Sequence, residues 1–112
     1  MEIKEAVASL TALGQSTRLS IFRLLVEAGP EGRMAGDIAA ALSVPAATLS
    51  FHLKDLSSAG LIHGEARSRF VCYRANFDAM NQLIEFLTRN CCAGSASAPC
   101  APSARCAVTT DD

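Results

Sequence analysis

The sequence predicts a mainly α-helical domain that carries one small β-hairpin. Three observations support this fold class: apolar residues recur at helical spacing through most of the first 92 positions, an alternating stretch at 61–74 suits two strands, and residues 93–112 have no apolar periodicity. The 112 residues, half of them apolar, suffice for one core. We therefore predict one folded domain over 1–92 and a flexible tail over 93–112.

The first two helices are separated by a short break. Apolar residues at helical spacing over 3–13 predict a first helix that ends at Gly14. Ser16 or Thr17 is suited to the N-cap of a second helix, which Gly29 and the following proline terminate. Because this second helix is apolar on most sides, we expect it at the centre of the fold.

The next two helices are joined by a tight turn. A short strand at 33–35 and a helix over 35–42 are followed by Pro45, which suits the start of a fourth helix over about 46–59. At 100° per residue, the inward face of the fourth helix carries Leu49, Leu53 and Leu56, and its outward face carries Ala47, Ser50, Phe51 and Lys54. The outward face is short, mostly uncharged and exposes an aromatic ring.

Two strands and a last helix complete the domain. Residues 61–74 predict a hairpin with a polar turn near 64–68, and Asn76 is placed to cap a fifth helix over about 77–91. The apolar stripe of that helix consists of Met80, Leu83, Ile84 and Leu87.

This order of elements is that of a winged helix-turn-helix, whose second helix enters the major groove of DNA. The predicted DNA-contacting residues are Ala47, Thr48, Ser50, Phe51, His52 and Lys54, with Arg67 and Arg69 projecting from one side of a strand at the hairpin tip. His52 is equally suited to helix packing. The net charge of −1 argues weakly against nucleic acid, but residues 43–76 hold four basic and two acidic side chains.

The residues from Leu42 to Leu56, followed by Ala59-Gly60-Leu61-Ile62, resemble the recognition-helix signature of the ArsR/SmtB family of metal-responsive repressors. The resemblance covers about residues 5–90. It implies a winged-helix homodimer joined through the first and last helices, and a repressor, not an enzyme, that leaves double-stranded operator DNA when an inducer binds. The implied dimer interface consists of Val7, Leu10, Met80, Leu83 and Leu87.

Cysteines cluster at the end of the chain. Of five cysteines, Cys72 falls in a predicted strand and suits the core, whereas Cys91, Cys92, Cys100 and Cys106 lie within the last 22 residues. The third helix lacks the thiols of the best-known arsenic sensors, and the fifth lacks the histidines of zinc sensors. The vicinal pair instead resembles an ArsR subgroup in which three thiols bind trivalent arsenic, a soft ion that selects thiolates.

The resemblance thus implies no obligatory cofactor and As(III) as inducer, with antimony(III) and methylarsenite as related options. The third ligand is Cys100 or Cys106, and we favour Cys100 because it is nearer to the pair. A zinc or cadmium site using four thiols and a thiol redox switch remain alternatives. No segment suits a membrane span or a secretory signal, so a cytoplasmic protein without a membrane partner is expected.

Overall fold

The computed structural model describes residues 1–93, which form five α-helices and one three-stranded antiparallel sheet. In chain order the elements are α1 (Ile3–Leu13), α2 (Ser16–Ala28), β1 (Arg33–Met34), α3 (Ala35–Leu42), α4 (Ala46–Ser58), β2 (Ile62–Arg67), β3 (Phe70–Ala75) and α5 (Phe77–Thr88), with one 3₁₀ turn at Gly29–Glu31. The predicted mainly helical fold with a hairpin is confirmed. Across this part of the chain no helix is long and apolar enough to cross a membrane.

Helix α2 is central, as the sequence predicts, but its cap differs from the prediction. Ile21 and Leu25 on α2 are completely buried. The N-cap is Gln15, whose side chain accepts a hydrogen bond from the backbone N–H of Arg18, and Ser16 is already the first helical residue. The longer side chain of Gln15 supplies the acceptor that the prediction assigns to Ser16 or Thr17, one or two positions later.

The core lies between α2, α3, α4 and the root of the sheet. Its large buried side chains come from these four parts of the fold, namely Ile21, Phe22, Leu25, Ile38, Leu49, Leu53, Leu56, Leu61 and Ile62. Each buried side chain of this kind stabilises the fold by about 1.5–3 kcal/mol. The three leucines of α4 are buried together, so the predicted inward face of that helix is confirmed and its opposite face is turned to solvent.

The turn between α3 and α4 is built from local backbone geometry. Ser43 adopts a left-handed conformation with φ of 54°, and the N–H of Val44 donates to the carbonyl of Ala39 at 3.0 Å. Pro45, with φ of −59°, stands at the N-cap of α4. At the other end of α4, Gly60 has φ of 78°, which reverses the chain into the sheet. The bend at Ser43–Pro45 sets the angle between α3 and α4, the two helices of the helix-turn-helix.

The sheet has the order β1-β3-β2, so β3 is its middle strand. Strand β1 pairs Arg33 with Tyr73 and thereby ties the hairpin to the residues just before α3. The sequence predicts β1 only as a short strand at 33–35, since its pairing partner lies about forty positions downstream.

The hairpin turn is tighter than predicted. Strand β2 continues to Arg67, which pairs with Phe70, and only Ser68 and Arg69 form the turn instead of residues 64–68. Ser68 takes the left-handed φ of 60° that such a turn requires. The expectation that Arg67 and Arg69 project from one side of a strand is therefore wrong, because Arg67 ends β2 and Arg69 lies in the turn.

Helix α5 begins as predicted and ends earlier than predicted. The Asn76 side chain caps it by accepting from the N–H of Ala79 and also donates to the carbonyl of Gly60 at 2.9 Å. The helix ends at Thr88 instead of residue 91, because Arg89 adopts an extended ψ of 131°. Turns follow up to residue 93, so the vicinal cysteines lie beyond the helix.

Candidate DNA-binding surface and vicinal thiol pair

The outward face of α4 is the most prominent candidate surface for nucleic acid. Phe51 is 71% exposed, and Ala47, Thr48 and Lys54 are exposed beside it. A large aromatic side chain held in water by a rigid helix is unusual in a folded domain, and it is available for apolar contact with a base edge. The structure thus brings these four predicted residues together on one solvent-facing side.

Two predicted residues of α4 are engaged within the protein. The Ser50 hydroxyl donates to the carbonyl of Ala46 at 3.1 Å, which leaves its lone pairs free to accept. His52 is half-buried, and its Nδ1 lies 3.5 Å from Nη1 of Arg18 on α2. Its position in the structure fits the helix-packing interpretation.

The arginines of the hairpin occupy different environments. Nη2 of Arg67 lies 3.5 Å from Oε1 of Glu65, and Nη2 of Arg74 lies 3.3 Å from the same oxygen. Arg69 instead lines a cleft of about 350 Å³ between the hairpin and α4, together with Ser50 and side chains of β3. The hairpin therefore presents one arginine towards α4 and holds two others on a carboxylate.

A polar link between α2 and α4, from Arg18 to Asp55, is not predicted by the sequence. Nε of Arg18 donates to the carbonyl of Ala12 at 2.6 Å, and Nη1 donates to Oδ2 of Asp55 at 3.3 Å. Arg18 and Asp55 are 37 positions apart, so no local spacing pointed to the pair. The fold alone brings them together.

Cys91 and Cys92 form a close thiol pair after α5. Their Sγ atoms are 3.6 Å apart. Hydrogen bonds from the N–H of Cys91 to the carbonyl of Thr88 at 2.9 Å and from Ala93 to Asn90 at 3.0 Å shape the turns that carry them. Two thiolates on one tetrahedral zinc ion, at about 2.3 Å from it, are about 3.8 Å apart, so sulfurs 3.6 Å apart are close enough for both to reach one thiophilic ion.

The remaining thiols have different places. Cys72 is buried, and its Sγ donates to the carbonyl of Glu31 at 3.4 Å, which confirms the predicted core position. Cys100 and Cys106 lie outside the described residues. Within residues 1–93 no group of three or more His, Cys, Asp or Glu side chains is arranged to hold a metal.

The predicted dimer residues divide into two groups. Val7 and Leu10 on α1 and Leu87 on α5 are exposed apolar side chains. Leu83 is buried and Met80 packs against the core, so both face inward within one chain. Further exposed apolar side chains on the same two helices are Ile3 and Ile84. Since α1 and α5 are in contact, these side chains belong to neighbouring elements.

Comparisons with known proteins agree with this architecture. A family described as a helix-turn-helix domain matches residues 13–65, from the end of α1 into β2. An ArsR-like transcriptional regulator from Rhodococcus sp. RHA1 is 28% identical, with a TM-score of 0.68 over 77% of this chain and 78% of that chain. No curated protein matches significantly.

Two further solved structures are similar. One, described as a possible transcriptional regulator for arsenical resistance, is 25% identical, with a TM-score of 0.62 over 70% of this chain and 79% of that one. The other is a homodimeric winged helix-turn-helix DNA-binding domain from Mycobacterium bovis, 23% identical, with a TM-score of 0.64 over 79% and 82%. All three of these solved structures are described as transcriptional regulators or as a DNA-binding domain. Sequence, fold and comparisons together show a winged helix-turn-helix domain that is similar to ArsR-like transcriptional regulators.

Proposed function

We propose that the chain is an arsenic(III)-responsive transcriptional repressor that binds operator DNA as a homodimer. It releases the DNA when trivalent arsenic, antimony or an organoarsenical binds its C-terminal thiolates. The observation that carries the proposal is the pair of thiols 3.6 Å apart in the turns just after α5, the helix that also bears exposed apolar side chains. Binding of an ion at the thiols would thus take place next to the surface through which two chains would meet.

The DNA-binding part of the proposal rests on α4. Its outward face offers small and polar side chains around Phe51, which suits close approach to base edges in the major groove. Lys54 on the same helix and Arg69 at the hairpin tip supply positive charge for phosphates. Contacts with DNA also stay predictions for the other residues of this surface, namely Ala47, Thr48, Ser50, His52 and Arg67.

The homodimer is supported by the exposed apolar side chains on α1 and α5. A chain that exposes such side chains on adjoining helices gains by burying them against a second copy. The similar domain from Mycobacterium bovis is described as homodimeric. A dimer would present two copies of α4 to half-sites about 34 Å apart, one turn of DNA.

The inducer part rests on thiol chemistry. A soft trivalent ion prefers thiolates to imidazole or carboxylate, and Cys91 and Cys92 supply two of them in contact. We propose that the third comes from the tail, with Cys100 favoured over Cys106. Release requires that arsenite bind the DNA-free form more tightly, and DNA must then weaken arsenite binding by the same factor.

The test is a binding titration by fluorescence anisotropy. The duplex is selected by the wild-type protein from a random pool of about 30 base pairs, long enough for two half-sites. Arsenite, methylarsenite and antimonite are each expected to release it from the wild-type protein. Cys91→Ser, Cys92→Ser and Cys100→Ser should bind the duplex as the wild type does and lose release, whereas Cys72→Ser, the matched control, should retain it.

Other outcomes would change the proposal. Equal arsenite affinity with and without the duplex would contradict the repressor mechanism. Release by zinc, cadmium or peroxide and not by arsenite would replace the inducer with one of the alternative thiol chemistries. Normal release from Cys100→Ser would move the third ligand to Cys106.

A further inference from the structure

One partly buried arginine connects α1, the helix proposed to join two chains, with α4, the helix proposed to read DNA. Arg18 lies in the first turn of α2, its side chain is 18% exposed, and it makes polar contacts to both α1 and α4. We infer that Arg18 is a positioning residue that, through Asp55, sets the orientation of α4 relative to α1, and that operator affinity depends on this link. The inference rests on the proposed function, since it concerns the DNA-reading geometry of α4.

The contacts of Arg18 define a bridge with a fixed shape. Nε donates to the carbonyl of Ala12 in the last turn of α1 at 2.6 Å. Nη1 donates to Oδ2 of Asp55 at 3.3 Å and lies 3.5 Å from Nδ1 of His52, so both α4 contacts come from one nitrogen. Because a guanidinium is planar and rigid, its contact to α1 fixes the direction in which it meets α4.

The space around the bridge explains why a polar link is needed there. A surface groove of about 420 Å³ lies between α1 and α4, lined by the small side chains Ala8, Thr11, Ser58 and Ala59 with Arg18 and Asp55. Among residues 1–93 no large apolar side chain lines this groove. Apolar packing therefore leaves this edge of α4 open, and the guanidinium spans it.

The bridge touches the DNA-reading surface directly. Asp55 follows Lys54 in sequence, and His52 follows Phe51 on α4. The buried leucines of α4 set its inward face, and the contact from Arg18 adds a polar restraint on rotation of the helix about its axis. Because such a rotation would move Phe51 relative to the major groove of DNA, this restraint also bears on what the helix reads. Arg18 is 34 positions from His52 and 37 from Asp55, so tertiary folding brings these residues together.

Substitution of Asp55 separates this role from simple electrostatics. Asp55 is 60% exposed at its side chain, so Asp55→Asn should fold. If Asp55 acted only as a negative charge near DNA, its removal would strengthen binding to every duplex. If it positions α4, Asp55→Asn should weaken binding to the selected duplex by about fivefold or more and leave a random-sequence duplex bound at least as well.

The experiment compares four proteins on the same two duplexes: wild type, Asp55→Asn, Asp55→Glu and Glu27→Gln. Asp55→Glu keeps a carboxylate for Arg18 and should restore most of the affinity. Glu27→Gln breaks a comparable pair, Glu27 with Arg23 at 3.1 Å on the surface of α2, and should change nothing. Circular dichroism melting and sedimentation velocity verify that all four fold and assemble alike.

The outcomes distinguish this inference from the proposed function. Failure of the wild-type protein to select any duplex would overturn both. Normal binding and release by the wild type, with equal or tighter binding of the selected duplex by Asp55→Asn, would overturn the positioning role alone. Arg18→Lys gives an independent check, because a single ammonium lacks the fork that meets both helices, and it too should lose affinity for the selected duplex.

Discussion

Gly32 occupies a point where the backbone passes too close to β3 for any side chain. A Cβ atom at this position would collide with the backbone carbonyl of Tyr73 and with the Arg74 side chain, and Gly32 has φ of 71°. Both conditions favour glycine, since other residues rarely adopt this φ. The close approach lets β1 pair with β3, so a single missing side chain permits the third strand.

Replacing Gly32 should therefore destabilise the protein. We expect Gly32→Ala to lower the free energy of unfolding by more than about 1 kcal/mol, from backbone strain and collision with β3. Gly36→Ala is the matched control, because its Cβ would meet nothing within 4 Å and α3 gains helix propensity. Urea denaturation of both variants measures the difference, and equal midpoints would contradict this account of Gly32.

Glu65 illustrates how one element limits its own positive charge. The hairpin carries Arg67 and Arg74 within 3.5 Å of a single carboxylate oxygen, so phosphate contacts by either arginine compete with Glu65. Exposed ion pairs of this kind are weak, which makes exchange for a phosphate inexpensive. Glu65 thus partly neutralises the positive charge of the hairpin.

Removing that carboxylate should strengthen DNA binding without changing sequence preference. We expect Glu65→Gln to increase affinity for the selected and the random duplex alike, and to steepen the dependence of log affinity on log salt by about one unit. Glu27→Gln, which lies on α2, serves again as the control. An unchanged salt dependence would show that neither Arg67 nor Arg74 reaches phosphate.

Helices and strands could be predicted from the sequence where neighbouring residues determine them, but not where residues distant in sequence do. The helical spacing of leucines placed α4 and its buried face, and Asn76 marked the start of α5. The turn at Ser68 was missed because strand length is set by pairing across the hairpin. The link from Arg18 to Asp55 was missed for the same reason, since tertiary folding alone joins them.

At the scale of the whole molecule, the exposed apolar side chains of α1 and α5 decide whether two chains associate. Leu10 on α1 and Leu19 on α2 are each 45% exposed, yet only Leu10 lies on the proposed interface. We expect Leu10→Arg to give a monomer in sedimentation velocity and to weaken operator binding strongly, since one chain reads only half a site.

Leu19→Arg is the control for that change, because it adds the same charge at a side chain of equal exposure. It should remain a dimer. If both variants dissociate, or neither does, the interface lies elsewhere than on α1.

The middle position of β3 has a consequence for how the hairpin can vary. Within residues 1–93, strand β1 pairs with Cys72 and Tyr73 of β3, so the outer part of the hairpin, from Ala66 round to Val71, consists of two strands. A two-stranded ribbon is only marginally stable by itself. The length and sequence of its tip can therefore change without disturbing the helices. The hairpin is thus the part of this fold in which the distance reached along DNA can most readily be altered.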